Sequence, residues 1–495
     1  MSELTKQPNL GRTIFKNTAF VTLGSVALKT INFLFGVYVI RRLGDDRFGQ
    51  YSAVLAFVGL FQIFAELGMS QYVMREIAED RRKTPSLFWN LVLVRAMLAL
   101  LAMVGITAAA KAASYAPEMV LGVLIYTATF VLSAIEAPLE TVLTANERFD
   151  YVTSMTILGQ ISFAVFGAGF LFGGLGFVWL IVASLLSLLP KIILGVWAVR
   201  RNHLLDFPVE IRPQEWPQLV RAGLPFGIIS LALTIAYSID TVMLRMFHPD
   251  NVVGWYNAAY SLTLSITFLS KGFKDAIVPT LTRTYSEEPH QVDRWYFRTV
   301  KVLILISLPL AVGGMIVAYP LIRFLYTDEF LPSALALQIL IWDLPFVMFA
   351  SFCGNMTTIV KEERSAAKIY TINALANIVL NFIFIPRYGF VAASVVTVVT
   401  DLIGAVQFYA LLHGKLNLPD LRSIMFRTIL AAAGMGFVVW MARSQHLFVM
   451  IALGVVVYGV LVLVLRLLDQ TEWALISRGL QKLGLGWMLR HTPVQ

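Results

Sequence analysis

The segment DDRFGQYSA, residues 45–53, returns as DNVVGWYNA at residues 250–258. Both copies read Asp-x-x-x-Gly-x-Tyr-x-Ala, and each follows one apolar run and opens the next, at an offset of 205 residues. A fainter echo, Gly-Phe-Val at 176–178 and again at 389–391, lies at an offset of 213. Repeats at this distance mark a chain built from two similar halves. What kind of halves depends on the material between the copies.

That material is apolar. Of 495 residues, 58% are hydrophobic and only 14% charged, where a soluble domain carries roughly 25% charge. Runs long enough to cross about 30 Å of hydrocarbon at about 1.5 Å per residue recur along the chain. The reading is an all-α, polytopic membrane protein of about fourteen transmembrane helices, between residues 16 and 466. Two six-helix bundles, 1–200 and 201–413, precede a further helix pair at 414–466 and a cytoplasmic amphipathic tail at 467–495. An even number of spans per half gives both halves the same orientation, with a pseudo-twofold axis along the membrane normal.

The basic residues agree with this count. With the N-terminus inside, 26 of the 39 lysines and arginines fall in cytoplasmic segments, 8 fall outside, and 5 lie within spans. That bias follows the positive-inside rule with both termini cytoplasmic, and it accounts for the net charge of +9 without nucleic acid. The first span carries Lys29 at its centre and ends in VIRRLG with no small-residue cleavage site, so it is expected to remain rather than be removed as a signal peptide. One cysteine, Cys353, leaves no intrachain disulfide to form. The six histidines form no metal-ligand cluster, and neither a nucleotide-binding motif nor a nucleophile constellation is present, so the chain reads as a non-enzyme without a metal or organic cofactor.

Charges inside spans cost about 2.5–3.5 kcal/mol each on insertion scales and are functional candidates for that reason. Lys29 lies near the middle of the first span, and Arg95 is about 12 Å into the third. In FLSKGFKDAIVP, residues 268–279, Lys271 and Lys274 share a helix face, and Asp275 is placed to neutralise one of them. The bland reading of each is an ion pair or a side chain that snorkels to the headgroups. Arg95 has Glu66 as its partner in that reading. Glu66 is also the repeat equivalent of Lys271, which makes those two a candidate gate pair. Glu136 and Glu140 share a face, and Asp240, Asp343 and Asp401 complete the buried acids, with a coupling proton or sodium ion as their functional reading and ion pairs or caps as their structural one. Asn373, Asn377 and Asn381 form a stripe that either joins helices or lines a polar cavity.

Taken in order, VIRRLGDDRFGQYS with FAELGMSQYVMREIA, then YSIDTVMLRMFHPDNVVGWYNAAYSL, FLYTDEFLPSALALQIL and NIVLNFIFIPRYGFVAASVVT resemble the successive signatures of the polysaccharide transporter family, the Wzx-type oligosaccharide-lipid flippases. The resemblance runs from residue 14 to about 413. It implies two facing six-helix bundles, alternating access between them, and an undecaprenyl-diphosphate-linked oligosaccharide as substrate. The diphosphate then falls to Lys29, Arg95, Lys271 and Lys274, the sugars to the asparagine stripe, and gating or ion coupling to Glu66, Asp240, Asp343 and Asp401. Implied partners are membrane lipids and a polysaccharide polymerase or export machinery in the cytoplasmic membrane. A drug or toxin extruder, or a lipid II flippase of the same superfamily, is the alternative. A membrane polymerase or ligase fits less well, because such proteins carry a large outer loop and every outer loop here is short.

Overall fold

The computed structural model describes residues 10–205, 209–416 and 422–469, and within them the side chains other than those of 10–27, 268–276 and scattered positions between 229 and 290. The tail expected at 470–495 lies outside the described residues. Every regular element among the described residues is helical. Fifteen α-helices follow in order: α1 Leu10–Phe61, α2 Ile63–Glu66, α3 Met69–Glu79, α4 Thr84–Ala112, α5 Pro117–Ala145, α6 Phe149–Phe172, α7 Phe177–Arg201, α8 Trp216–Phe247, α9 Asp250–Glu287, α10 Pro289–Leu325, α11 Ser333–Leu340, α12 Asp343–Ile359, α13 Glu363–His413, α14 Arg422–Met441 and α15 Leu447–Val464. Without water, a chain must satisfy its own N–H and C=O groups, and helices do so within one segment.

The helices show the residue distribution of a multi-pass membrane protein. On α4, Leu101 and Val104 are 69% and 71% exposed while Ala99, Ala102 and Ala110 are buried. Small side chains on the inward face, beside larger ones such as Leu91 and Ile106 that are also buried, let backbones approach where the hydrophobic effect offers no inward drive. Among the described residues, eight helices are long and apolar enough to span a bilayer, or ten if each of two bent pairs is one span, against the fourteen expected. Part of the difference is the 51-residue α13, counted once. At about 1.5 Å per residue it would be more than twice as long as the hydrocarbon is thick.

Glycines divide the long helices. Gly389 within α13 adopts φ 55°, ψ −136°, and Gly44 within α1 adopts φ 73°, ψ 173°. Both values lie where L side chains are strained. At the Gly389 bend His248 Nε2 lies 2.7 Å from the Ile385 carbonyl oxygen. Pro386, which has no N–H to give, sits at the same bend.

The chain forms two compact units. The first comprises 1–258 with 325–330 and 378–393, and the second 259–324, 331–377 and 394–495. In the first unit α4 packs on α5, α6 on α7 and α5 on α7, and the second part of α1 runs against α8. Its core gathers Met69, Val73, Leu91, Leu143 and Met155. In the second unit Tyr296, Phe352, Cys353, Met356 and Phe408 pack together, and α14 lies on α15.

The two copies of the sequence repeat meet inside the first unit. A Cβ built on Gly49 would lie 1.7 Å from the Asp250 carbonyl oxygen, and one on Gly254 would lie 2.1 Å from that of Asp45. The contact is reciprocal, since Asp45 and Gly49 of one copy correspond to Asp250 and Gly254 of the other. The side chains repeat the pattern. Trp255 donates to Asp45 at 2.9 Å and Gln50 donates to Asp250 at 3.2 Å, and positions 50 and 255 are again 205 apart. Further along the same span, a Cβ on Gly68 would lie 2.4 Å from Gly227 N and 2.5 Å from Gly223 O of α8. Gly68 itself has φ 71°.

Replacing Gly49 or Gly254 by alanine is therefore expected to force the helices apart, at a cost of about 1–3 kcal/mol, the usual range for overpacking. Gly105→Ala is the control, because a Cβ there meets nothing within 4 Å. Thermal unfolding in detergent should show Tm lowered for the first two and held or raised for the third.

Candidate functional site

The interior of the first unit holds charge on four helices. Arg95 on α4 has a side chain only 5% exposed and sits 3.1 Å from Glu66 Oε1. The same nitrogen, Nη1, donates to Ser70 Oγ at 2.8 Å. The break between α2 and α3, at Leu67 and Gly68 with φ 50° and 71°, puts Glu66 at the end of one helix and Ser70 at the start of the next, so both reach Arg95. On α7, Lys191 Nζ lies 2.5 Å from Glu136 Oε1 of α5. Gly159 on α6 leaves the slot for its stem, where a Cβ would lie 2.6 Å from Lys191 Cδ. Glu140 lies one turn beyond Glu136 on the same helix.

The balance of this network is informative. Each of its two cations meets a carboxylate, Arg95 with Glu66 and Lys191 with Glu136. A neutral cluster is what a low-dielectric interior tolerates, because an uncompensated charge there costs several kcal/mol.

A second polar knot in this unit centres on Asp240, 3% exposed on α8. Tyr256 OH donates to its Oδ2 at 2.8 Å and Asn381 Nδ2 to its Oδ1 at 2.5 Å. Tyr256 is the tyrosine of the second repeat copy. A third group gathers around that crossing, where Arg245 Nε lies 2.6 Å from Asp250 Oδ1 with its guanidinium 5.5 Å from the Tyr115 ring. Trp255 there also donates to the Glu329 carbonyl at 2.9 Å.

In the second unit, Asp343 is buried at the start of α12, and Asp401 belongs to α13. Asn373 donates to Gln407 at 3.1 Å and Asn377 to Thr400 at 3.4 Å. Each asparagine of the stripe thus meets a polar side chain across its own broken helix or on α8. Lys29 is exposed on α1. Lys271 and Lys274 belong to α9, but their side chains lie outside the described residues, so the expected gate pair is described only at Glu66, which engages Arg95.

Sequence reasoning named Arg95, Glu66 and Asp240 but not Ser70, Tyr256, Gln50 or Trp255. Gln50 and Trp255 occupy equivalent repeat positions without being identical, so matching identities passed over them. Lys191 was visible as a charge within a span, but its carboxylate partner lies two helices away in sequence.

Removing one partner of the Arg95–Glu66 pair strands the other. Glu66→Gln and Arg95→Gln are each expected to destabilise the protein by about 2 kcal/mol. That is below the roughly 3–5 kcal/mol of a fully buried pair, because Glu66 is 34% exposed. The double variant should recover part of the loss, and a double-mutant cycle on thermal unfolding measures the coupling.

Comparison with known proteins places this geometry. The profile of the polysaccharide biosynthesis protein family matches residues 14–285, more than half the chain, and the MatE profile matches 225–386. An uncharacterized membrane protein of Methanocaldococcus jannaschii is 23% identical over 379 residues, 71% of this chain and 74% of that one. A probable low-salt glycan biosynthesis flippase of Haloferax volcanii is 22% identical over 268 residues, 51% of this chain and 56% of that one. Among solved structures, the lipid II flippase MurJ in an inward closed conformation superposes with a TM-score of 0.75 at 15% identity, covering 90% of this chain and 98% of that one. An inward-facing multidrug resistance MATE transporter of the MOP superfamily reaches 0.64 at 17% identity, covering 78% and 95%. Both structures are of transport proteins, and what this chain shares with them is the fold. The chain belongs to the polysaccharide biosynthesis protein family, and it is a multi-pass membrane protein with the fold of these flippase and transporter structures.

Proposed function

We propose that the protein flips a polyprenyl-diphosphate-linked oligosaccharide, with undecaprenyl as the carrier, from the cytoplasmic to the outer leaflet of the cytoplasmic membrane. Both termini lie in the cytoplasm on this reading, as the basic-residue bias indicates. The observation that carries it is the family match over 14–285 on a chain whose membrane interior holds cations. The head of such a substrate combines an anionic diphosphate with sugars too polar to cross hydrocarbon, while its tail stays in the bilayer. A flippase need shelter only the head.

The cations are kept in check by carboxylates. Arg95 is held by Glu66 and Lys191 by Glu136, so an arriving diphosphate has to compete for them. A carboxylate released in that exchange is a natural acceptor for a proton, which ties Glu66 to ion coupling without a separate device. Lys29, exposed on α1, supplies a first contact, with Lys271 and Lys274 placed for another. Asn373, Asn377 and Asn381 serve the sugars, and Asp240, Asp343 and Asp401 are the further sites for a coupling proton or sodium ion. A polymerase that consumes the flipped lipid is the partner this implies.

The test is translocation of a polyprenyl-diphosphate oligosaccharide in proteoliposomes. A charged hydrogen bond to phosphate contributes about 1.5–3 kcal/mol, so Lys29→Ala and Arg95→Gln should each slow flipping on the order of 10- to 100-fold in correctly folded protein. Wild-type transport of lipid II or of a cationic dye, with none of the oligosaccharide lipid, would overturn the substrate assignment.

A further inference from the structure

The last turns of α7 carry a feature that transport does not use. Ile192, Ile193, Val196 and Trp197 line an open groove of about 640 Å³, and Arg200, Arg201 and His203 stand at its polar end. Ile193 is 69% exposed and Trp197 47%, a surface that in a membrane protein meets acyl chains. Trp197 is fixed on two sides, by the Arg201 guanidinium 4.9 Å over its ring and by the edge of Tyr151 at 5.9 Å. The neighbouring Arg148 has its own acid, Asp150, at 3.1 Å. Among the described residues, Arg200 and Arg201 pair with none.

We propose that this groove is a binding site for one anionic glycerophospholipid of the leaflet at that end of α7. Its acyl chain lies along Ile192, Ile193 and Val196, and its phosphate meets Arg200 and Arg201. From Ile192 to Arg200 the helix rises about 12 Å, close to the depth of one hydrocarbon leaflet. Guanidinium forks match phosphate oxygens, and a tryptophan at the interface positions the glycerol region between them. The net negative headgroup selects against a zwitterionic one, whose ammonium group offsets the same phosphate. Arginines in a last helical turn also complement the helix dipole, but that role needs no apolar groove beneath them.

Native mass spectrometry of the full chain in detergent tests the site with phosphatidylglycerol and phosphatidylcholine as probes. The expected result is one phosphatidylglycerol retained under conditions that strip phosphatidylcholine. R200Q/R201Q should weaken that retention tenfold or more while leaving phosphatidylcholine unchanged, and I193D should abolish it by charging the acyl slot at an exposed position. Equal retention of the two lipids would overturn the proposal, and so would phosphatidylglycerol binding indifferent to R200Q/R201Q. Displacement by equimolar undecaprenyl phosphate would also overturn it, by assigning the groove to the transported lipid.

Discussion

Two glycines with no room for a methyl group, Gly49 and Gly254, hold the first unit together at the place where its repeat copies cross. In each copy a helix begins at the aspartate. Gly44 breaks α1 just before Asp45, and Asp250 is the first residue of α9. An acid at a helix N-terminus is favoured by the dipole, and a residue four positions later lies on the same face. The spacing Asp-x-x-x-Gly thus puts an acceptor and a bare backbone side by side, and the other copy's backbone fits against both. The following residue, Gln50 or Trp255, then reaches the aspartate of the opposite copy. In hydrocarbon, where apolar surface gains nothing by burial between helices, contacts of this kind supply the association.

The same economy governs the interior charges. Arg95 and Lys191 each meet a carboxylate, Glu66 and Glu136. Had any member been missing, the remainder would carry a net charge in low dielectric. Pairs balanced in this way are tolerated at rest, and any further charge brought beside them would have to be answered by losing a carboxylate charge or gaining a proton.

Much of this was legible in the sequence, because hydrocarbon imposes few solutions. Composition pointed to the membrane, and the apolar helices agree with it. The repeat at 45–53 and 250–258 marked the very residues that touch. The partnership of Arg95 with Glu66 was foreseeable because both are charges set in apolar runs with few alternatives. What could not be read was which helices stand next to one another. Lys191 and Glu136 are joined only because α7 packs on α5, and Asn381 meets Asp240 across 141 residues of sequence. The span count was blurred for a related reason. A glycine such as Gly389 interrupts the dihedral angles while hydrogen bonding continues around it, so one helix of 51 residues stands where two spans were expected.

The chemistry of the crossing also bears on how such a transporter changes state. Alternating access requires one closed end to open, and the Gly49–Gly254 crossing would open by losing Trp255 to Asp45, Gln50 to Asp250 and the backbone contacts between them. Each such hydrogen bond contributes about 0.5–1.5 kcal/mol net, and the charge-assisted ones about 1.5–3. Rings pack there as well, Phe48 against Phe330 and Trp255 against Phe390. The crossing is then held by several kcal/mol, on the scale of the ~5.5 kcal/mol of differential affinity that inverts a 99:1 equilibrium. A crossing of bare backbone, reciprocal aspartates and a few rings is therefore within reach of what differential binding of a ligand can supply.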